Sequence, residues 1–361
     1  MFLRRESSVR IGRNRRQRNW GPRIREVEYL EMPLVTLENE LLQVDVLAGK
    51  GADIVEFNYK PRDLDFTWLT PGGVRDPSAF LSTSPDPLAT FVDIYPGGWQ
   101  EVFPNGGAPA SYFGAQFGQH GEVANLPWDS RITEDNEHAV AATFSARTLK
   151  TPFNLAKTLR LGASEPTLSL TEAITNESDV ELPVMWGHHL AYGRPFLDET
   201  CRIRLPDGVT VIPHPTPIHP DGRRVVANQR PSWPLAQGVD GGKIDLSALP
   251  PQGTISEILY LTDFSEGWYE LEHPGKGIGI RVEWDIAVMP YLWYWMEFGA
   301  SKAYPWYGRL YTIGLEPFSS YPTNGLPDAV ANGSALEFGP GERKEFWLRA
   351  TIYETGASGR G

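Results

Sequence analysis

Two segments far apart in the sequence place ionisable side chains at the ends of apolar runs. Residues 311–322 (YTIGLEPFSSYP) carry Glu316 at the end of a strand-like run, just before proline-punctuated residues. Residues 185–193 (MWGHHLAYG) carry the pair His188 and His189 in a similar setting. A carboxylate and an imidazole on two sides of one substrate can take and give protons in the same reaction. The sequence therefore indicates general acid–base chemistry, provided that the fold brings the two segments together.

Each of these groups also has an ordinary structural interpretation. A glutamate is usually a solvated surface residue, and either histidine could simply be a core residue. The residues that flank Glu316 are apolar or small, and an ionised carboxylate among such neighbours is costly unless it has partners; they are Ile313, Gly314, Leu315, Pro317 and Phe318. This setting favours a functional role for Glu316.

The elements that must position these groups are β-strands. Apolar and polar residues alternate in residues 42–46, 155–161, 168–174, 278–284 and 346–352. A period of two is typical of strands with one buried face, and no segment keeps the helical period over three turns. The 36 glycines and 31 prolines divide the chain into short elements. The sequence predicts an all-β protein, a large antiparallel β-sandwich.

The domain organisation is expected to be simple. Residues 1–26 contain nine arginines and two glutamates, and we expect an arginine-rich arm that could include a first strand. Residues 27–356 are predicted to form a single sandwich domain. Residues 206–251 hold nine prolines and few apolar residues, so they are expected to form a long loop excursion within it.

Composition excludes several classes of protein. The net charge is −12 although the first 26 residues are basic, so the body is acidic and nucleic acid is not an expected partner. The single cysteine, Cys201, allows no intrachain disulfide. No apolar run is long enough for a membrane span, and the start of the chain lacks the apolar core of a secretory signal. A cytoplasmic protein is therefore expected.

The common cofactor and metal motifs are missing from the sequence. The histidines are scattered without zinc spacing, and no phosphate-binding loop or dinucleotide fingerprint is found. No G-x-S-x-G element indicates a serine hydrolase. We expect no cofactor and no metal.

An ordered series of short segments carries a family resemblance. Residues 51–57 (GADIVEF), 97–105 (GGWQEVFPN) and 119–128 (QHGEVANLPW) precede the His188–His189 and Glu316 segments in this order. Together they resemble the galactose mutarotase-like (aldose 1-epimerase) superfamily over nearly the whole chain. The resemblance implies a large curved β-sandwich that interconverts the anomers of a monosaccharide or small sugar without a cofactor.

The resemblance also implies roles for particular residues. Glu316 would be the catalytic base and His189 the general acid, with His188 as the alternative one residue away, while His120 would bind sugar hydroxyls and polarise the ring oxygen. The segment 97–105 lacks the arginine of the best-known members, and Arg75 is a possible substitute. The expected substrate contacts are His188, Asp263, Gln100, Asn105, Trp295 and Arg75.

Other functions on the same scaffold remain open at this point. A non-catalytic carbohydrate-binding sandwich could use the same cleft, and a sugar lyase or a hexose-6-phosphate epimerase could use the same residue types. A phosphorylated substrate needs several cations, and the basic residues near the candidate site are few: Arg194, Lys302 and Arg309. The acidic body also disfavours such a substrate.

Overall fold

The computed structural model describes residues 21–79 and 86–355. Residues 1–20 of the expected arm lie outside this range, and the first strand begins at Arg23. Strands dominate the described residues, and the predicted all-β fold is confirmed. The two α-helices there are short, α1 (Ala89–Val92) and α2 (Leu326–Ala331), and single 3₁₀ turns form at Lys60–Arg62, Pro77–Ala79 and Val123–Asn125.

The strands of the described residues are numbered here in chain order. The first part of the chain forms β1 (Arg23–Tyr29), β2 (Met32–Glu38), β3 (Leu42–Leu47), β4 (Asp53–Tyr59), β5 (Leu64–Asp65), β6 (Trp99–Val102), β7 (Ala110–Tyr112), β8 (Ala115–Phe117), β9 (Asp129–Asp135), β10 (Ala139–Arg147), β11 (Phe153–Gly162), β12 (Thr167–Asn176) and β13 (Leu182–Val184). The second part forms β14 (Gly187–Gly193), β15 (Arg202–Arg204), β16 (Thr210–Pro213), β17 (Leu235–Gln237), β18 (Lys243–Asp245), β19 (Glu257–Thr262), β20 (Trp268–His273), β21 (Ile278–Trp284), β22 (Tyr291–Glu297), β23 (Thr312–Phe318), β24 (Leu336–Phe338) and β25 (Arg343–Glu354).

Two large antiparallel sheets form the sandwich. The front sheet has 11 strands in the order β1-β2-β3-β4-β6-β14-β23-β22-β19-β16, with β5 paired to β4. The back sheet has eight strands in the order β15-β20-β21-β25-β12-β11-β10-β9. Small two-stranded sheets pair β7 with β8, β13 with β24 and β17 with β18.

The hydrophobic core lies between the two sheets. Strand β11 buries Phe153, Leu155 and Leu159 on one face, as its alternating sequence predicts. Strand β25 does the same with Phe346 and Ile352. Each fully buried side chain of this size contributes about 1.5–3 kcal/mol relative to the exposed state. One buried cluster contains residues of both sheets, so the sheets share a single core.

Strands β14 and β23 differ from this pattern because every residue in them is buried. Their inner faces pack on the core, and their outer faces are covered by loops and aromatic side chains. A strand that is buried on both faces reads as a continuous apolar run without alternation. Any ionisable side chain on these two strands is therefore held away from water.

The proline-rich residues 206–251 contain three short strands. Strand β16 forms the edge of the front sheet, and β17 pairs with β18 in a separate hairpin. Among residues 21–79 and 86–355, none of the helices has the length and apolar character required to cross a lipid bilayer.

Candidate active site

Two adjacent strands in the middle of the front sheet bring together the two candidate catalytic groups. Strands β14 and β23 pair antiparallel with Gly187 opposite Phe318 and Ala191 opposite Gly314. This register places His189 opposite Glu316, with both side chains on the same outer face. His189 Nε2 lies 3.6 Å from Glu316 Oε1.

Burial changes the protonation of this pair. Glu316 is 1% exposed and His189 is 6% exposed. Desolvation raises the pKa of the Glu316 carboxyl well above its ordinary value and lowers the pKa of His189 to about 4. Between these two shifted pKa values the pair holds one titratable proton, either as a neutral carboxyl and a neutral imidazole or as a carboxylate facing an imidazolium. In the second arrangement a base and an acid face each other.

His120 is the third ionisable group at this position. It has a left-handed φ of 57°, and its ring centre lies 5.4 Å from that of His189. The Gly107 backbone N–H donates to His120 Nδ1 at 3.2 Å, so a neutral ring carries its proton on Nε2. Burial, together with the neighbouring His189, lowers the pKa of His120 well below its ordinary value. A neutral His120 can donate a hydrogen bond to a polar ligand.

Aromatic side chains cover the pair. Tyr95 places its hydroxyl 3.4 Å from His189 Nδ1, and Phe91 stacks on Tyr95 with 5.1 Å between the ring centres. Trp295 packs on His189 at 5.8 Å, and Trp306 packs on Trp295 at 6.0 Å. This cover excludes water, which strengthens electrostatic interactions within the site.

Tyr95 lines a cavity of about 310 Å³ whose wall does not include His189, His120 or Glu316. Tyr95 and Trp306 form part of its wall, and Tyr304 and Tyr307 line it with exposed rings. Arg309 also reaches it. A sugar-sized molecule fits this volume, and Tyr95 and Trp306 stand between it and the acid–base pair.

Two predicted contact residues lie beside the pair. Gln100 is directly opposite His189 in the pairing of β6 with β14, so it shares the outer face. Its side-chain amide donates to the Gly97 carbonyl. Trp295 packs on the His189 ring, as described above. Both side chains are positioned to meet a ligand that reaches His189.

Two other predicted contacts lie further away. Arg75 lines the cavity outside Tyr95, and its guanidinium donates to the Asp93 carbonyl at 2.6 Å. Asp263 is exposed at a left-handed turn with φ 63°, directly after β19 and two strands away from Glu316. The fold does not bring Asp263 to the pair.

The side chain of Asn105, another predicted substrate contact, makes hydrogen bonds within the protein. Its side-chain nitrogen donates to the Ala108 and Gly118 carbonyls, at 2.9 and 3.3 Å, and its oxygen accepts from the Leu326 N–H at 2.7 Å. The amide is fully buried and holds the loop before β7 against α2. Both N–H donors of the amide are therefore used within the protein, and contact of Asn105 with a sugar stays a prediction.

His188, also a predicted substrate contact, lies on the opposite face of β14 from His189, because adjacent residues of a strand point to opposite faces. His188 is fully buried between the sheets, where its ring stacks on Phe346. The Trp99 indole N–H donates to its Nδ1 at 3.2 Å, while Nε2 lies 3.3 Å from Glu172 Oε2. A sugar bound at His189 cannot reach this ring.

His188 belongs to a buried polar cluster, defined here as Glu101, Lys157, Glu172 and His188. Glu101 Oε2 lies 3.5 Å from His188 Nδ1 and 3.6 Å from Lys157 Nζ. Burial raises the pKa of both carboxyls to about 7 and lowers the pKa of His188 to about 4. Lys157 balances one carboxylate, so one additional proton makes the cluster neutral.

Two groups of side chains in the described ranges have the spacing of metal ligands. One is Glu101, Glu172 and His188, where Lys157 already supplies a positive charge. The other is Asp198, Cys201 and His273, where His273 Nε2 lies 2.9 Å from Asp198 Oδ2. Neither group lies on the face that carries His189 and Glu316.

Sequence reasoning missed part of the aromatic cover. Trp295 and Trp306 belong to a dense aromatic block before Glu316, half of which the sequence predicts to face the cleft, whereas Phe91 and Tyr95 come from a segment that carries no motif. Their contacts depend on loops that fold back over the front sheet, which is a tertiary feature.

Comparison with known proteins agrees with this architecture. No curated protein matches the chain significantly. A solved Klebsiella pneumoniae protein proposed to be an aldose 1-epimerase superposes with a TM-score of 0.72 at 15% identity, covering 92% of this chain and 84% of that one. A galactose mutarotase-like protein from Clostridium acetobutylicum gives 0.62 at 15% identity, with 92% and 99% covered. An Escherichia coli protein proposed to be an aldose 1-epimerase gives 0.59 at 17%, with 90% and 99% covered.

These structures share the fold, and the predicted galactose mutarotase-like β-sandwich is confirmed. The family described as "Domain of unknown function (DUF4432)" matches residues 31–352, which is most of the chain. The chain belongs to the DUF4432 family and has the galactose mutarotase-like fold.

Proposed function

We propose that this protein interconverts the α and β anomers of a free sugar, with Glu316 as the base and His189 as the acid. The observation that carries this function is the buried contact of 3.6 Å between His189 Nε2 and Glu316 Oε1. A carboxylate and an imidazole that share one proton can move protons to and from a substrate placed between or above them. The fold neighbours proposed to be aldose 1-epimerases support the same reaction class.

The reaction needs two proton transfers and one rotation. The Glu316 carboxylate takes the proton of the C1 hydroxyl while the His189 imidazolium gives its proton to the ring oxygen. The bond between C1 and the ring oxygen breaks, and the product is the open-chain aldehyde. Rotation about C1–C2 presents the other face of the carbonyl. Ring closure then returns both protons, so the enzyme is regenerated without a covalent intermediate.

The single titratable proton of the pair suits this cycle. The ionised arrangement, with a Glu316 carboxylate and a His189 imidazolium, holds the same number of protons as the neutral one. A sugar hydroxyl and ring oxygen can stabilise the ionised arrangement by hydrogen bonds to each charge. His120, with a proton on Nε2 when neutral, is placed to donate to a sugar oxygen.

Substrate entry is proposed to involve the cavity outside Tyr95. His189, His120 and Glu316 are each at most 6% exposed, so a ligand reaches them only when covering side chains move. Tyr95 and Trp306 line both the cavity and the aromatic cover. Their rings, with Trp295, also offer faces on which the C–H surface of a sugar can pack.

The decisive experiment follows the anomers of freshly dissolved sugars by NMR, across neutral, acidic and 6-phosphorylated hexoses. We expect wild-type protein to accelerate equilibration of at least one sugar, and the Glu316→Gln variant to lose this acceleration. Calorimetry on the same panel measures binding separately. Binding of a sugar without acceleration of any would contradict the enzymatic function and favour a carbohydrate-binding protein.

A further inference from the structure

Two arginines lie at the same end of the strand pair that carries the acid–base groups. Arg194 directly follows β14, and Arg309 lies shortly before β23 begins at Thr312. Because the two strands pair antiparallel with Gly193 opposite Thr312, both arginines lie beyond the same end of the pair. At a strand rise of about 3.3 Å per residue, this end is about 13 Å from His189 along β14.

Both arginines line one cavity of about 400 Å³, which is called the arginine pocket here. Its other lining residues include Trp68, Gln252 and Tyr311, and no carboxylate of the described residues belongs to the lining. The arginine pocket adjoins the cavity beside Tyr95, because Arg309 lines both. Two positive charges therefore face one space next to the proposed entry of the substrate.

Each guanidinium group is held on one side and keeps N–H donors for a ligand. The Arg194 guanidinium lies over the Tyr311 ring, 5.6 Å from its centre. Arg309 Nε donates to the Trp306 carbonyl at 3.4 Å. Within residues 21–79 and 86–355, neither guanidinium forms an ion pair with a carboxylate. Since a guanidinium has five N–H donors and stays charged, both groups can still bind an anion.

We propose that Arg194 and Arg309 bind an anionic group, a carboxylate or a phosphate, at the end of the sugar that is remote from C1. This inference rests on the proposed function for the reaction and names its class of substrate, a reducing sugar that carries a negative charge. Guanidinium groups bind carboxylate and phosphate through paired N–H···O bonds, and a neutral sugar offers no such partner.

Aromatic rings connect the arginine pocket with the acid–base pair. Trp68 packs on Tyr95 at 6.2 Å and on Trp306 at 6.4 Å between ring centres. Trp295 packs on Trp306 at 6.0 Å and on His189 at 5.8 Å. A sugar that packs its C–H face on these rings can therefore place C1 at the pair and its other end toward the arginines.

The acidic body of the chain disfavours an anionic ligand only at long range. Exposed charges more than about 10 Å apart are largely screened at an ionic strength of about 0.1 M. Glu199 accepts from the Gln252 backbone N–H at 3.3 Å but does not line the arginine pocket. In the adjoining cavity the Asp93 carboxylate accepts from the Tyr304 hydroxyl at 2.6 Å. The charged groups in the lining of the arginine pocket are thus the two guanidinium groups.

The test is isothermal titration calorimetry of the full chain with sugars that differ at C6. The probes are galactose, galacturonate and galactose 6-phosphate, with the corresponding glucose series. We expect at least one anionic sugar to bind roughly 10-fold or more tightly than its neutral parent. The uronates and the phosphates show which anion is preferred. Equal affinity for the charged and neutral sugars, or no binding of any anionic sugar, would overturn the inference.

Variants locate the source of this preference. Arg194→Gln and Arg309→Gln should each raise the Kd of the anionic sugar toward that of its neutral parent. Arg309→Lys keeps the charge but loses the planar fork, so it should keep part of the preference. The control is Arg202→Gln, at an exposed arginine of β15 in the back sheet, which changes the net charge by the same amount. An equal loss in Arg202→Gln would mean that the charge of the whole chain, and not the arginine pocket, selects the ligand.

Anomer equilibration followed by NMR separates this inference from the proposed function. An anionic sugar that binds through the two arginines without faster equilibration would contradict the proposed reaction and leave the anion site in place. Acceleration of a neutral sugar without any preference for charged sugars would support the reaction and overturn the anion site.

Discussion

His188 and His189 are neighbours in one strand, yet each contacts a different buried glutamate on a different face of the front sheet. His188 Nε2 lies 3.3 Å from Glu172 between the two sheets. His189 Nε2 lies 3.6 Å from Glu316 beneath the aromatic cover. One strand thus carries two buried imidazole–carboxyl contacts, and only the outer one can meet a substrate.

Removing either partner of the outer pair should abolish catalysis while leaving binding largely intact. Glu316→Gln keeps the shape of the side chain but removes the base, and His189→Asn removes the acid. Each variant is expected to lower mutarotation at least about 10²-fold, with sugar affinity within a few-fold, because the lost interaction is a proton transfer. Anomer equilibration by NMR and binding by calorimetry measure the two effects.

A matched control for this experiment is Glu257→Gln, which makes the same change in the same sheet at a carboxylate that pairs with Arg224 at 3.2 Å. Its activity per folded molecule should stay close to that of wild type. An equal loss of activity in Glu257→Gln would mean that the loss in Glu316→Gln results from damage to the sheet and not from removal of the base.

A methyl group beside Glu316 should test the position of the carboxylate without removing it. Gly314 precedes Glu316 by two residues on the same face, and a Cβ at Gly314 would overlap Glu316 Oε1. The end of a glutamate side chain can move aside, so Gly314→Ala should fold with a displaced base. We expect activity to fall roughly 10- to 100-fold, the scale of an ångström-sized misplacement of a catalytic group.

Gly162→Ala is the corresponding control. A Cβ at Gly162 would meet the Glu165 carboxyl at 2.8 Å, at the end of β11 in the back sheet. The added methyl group crowds a glutamate side chain in the same way, but in the back sheet and not on the face that carries His189 and Glu316. Full activity in Gly314→Ala would show that the observed position of the Glu316 carboxylate is not required.

The pH dependence of kcat/KM should follow the shifted pKa values of His189 and Glu316, and not the pKa of a histidine in free solution. Because burial lowers the pKa of His189 to about 4, the second proton enters the pair only near that pH, and kcat/KM should fall as the pH drops through about 4. Because burial raises the pKa of Glu316, the last proton leaves only at a pH well above the ordinary range of a carboxyl. A plateau between these limits is expected from initial rates. An acid limb near pH 6.5 would be inconsistent with a desolvated His189.

Glu172→Gln should change how stability depends on pH. Burial raises the pKa of Glu172 from its ordinary value of 4.5, which applies in the unfolded chain, to about 7 in the folded protein, so its contribution to stability is present below pH 4.5 and is lost as the pH rises through 7. Glutamine does not ionise, so the variant does not lose this stability as the pH rises. The Tm of the variant relative to wild type should therefore rise between about pH 5 and pH 8 in thermal unfolding.

His188 titrates in the opposite sense, since its pKa falls to about 4 and its contribution is lost as the pH drops from 6.5 toward 4. His188 is present in both the variant and the wild type, so its contribution largely cancels from the difference in Tm between them. Glu345→Gln makes the same substitution at an exposed carboxylate of β25 and is the control. A flat difference for Glu172→Gln would contradict the raised pKa.

The local sequence determined much of the fold. Alternation in segments such as 155–161 and 346–352 predicted strands with one buried face, and those residues line the core in β11 and β25. The apolar setting of Glu316 and His189 singled out both residues before any geometry was known. This information is local, because a strand with one wet face must alternate.

Only the tertiary structure decided which side chains meet. Sequence proximity suggested that His188 shares the site of His189, but the pleat of β14 sends His188 into the core beside Glu172. Asn105 lies in a motif-like segment, yet its amide is occupied by the loop and α2. Tyr95 has no motif at all and becomes the neighbour of His189 because its loop folds over the front sheet. Strand pairing and loop packing join residues that are distant in the sequence, and no local pattern encodes which partners meet.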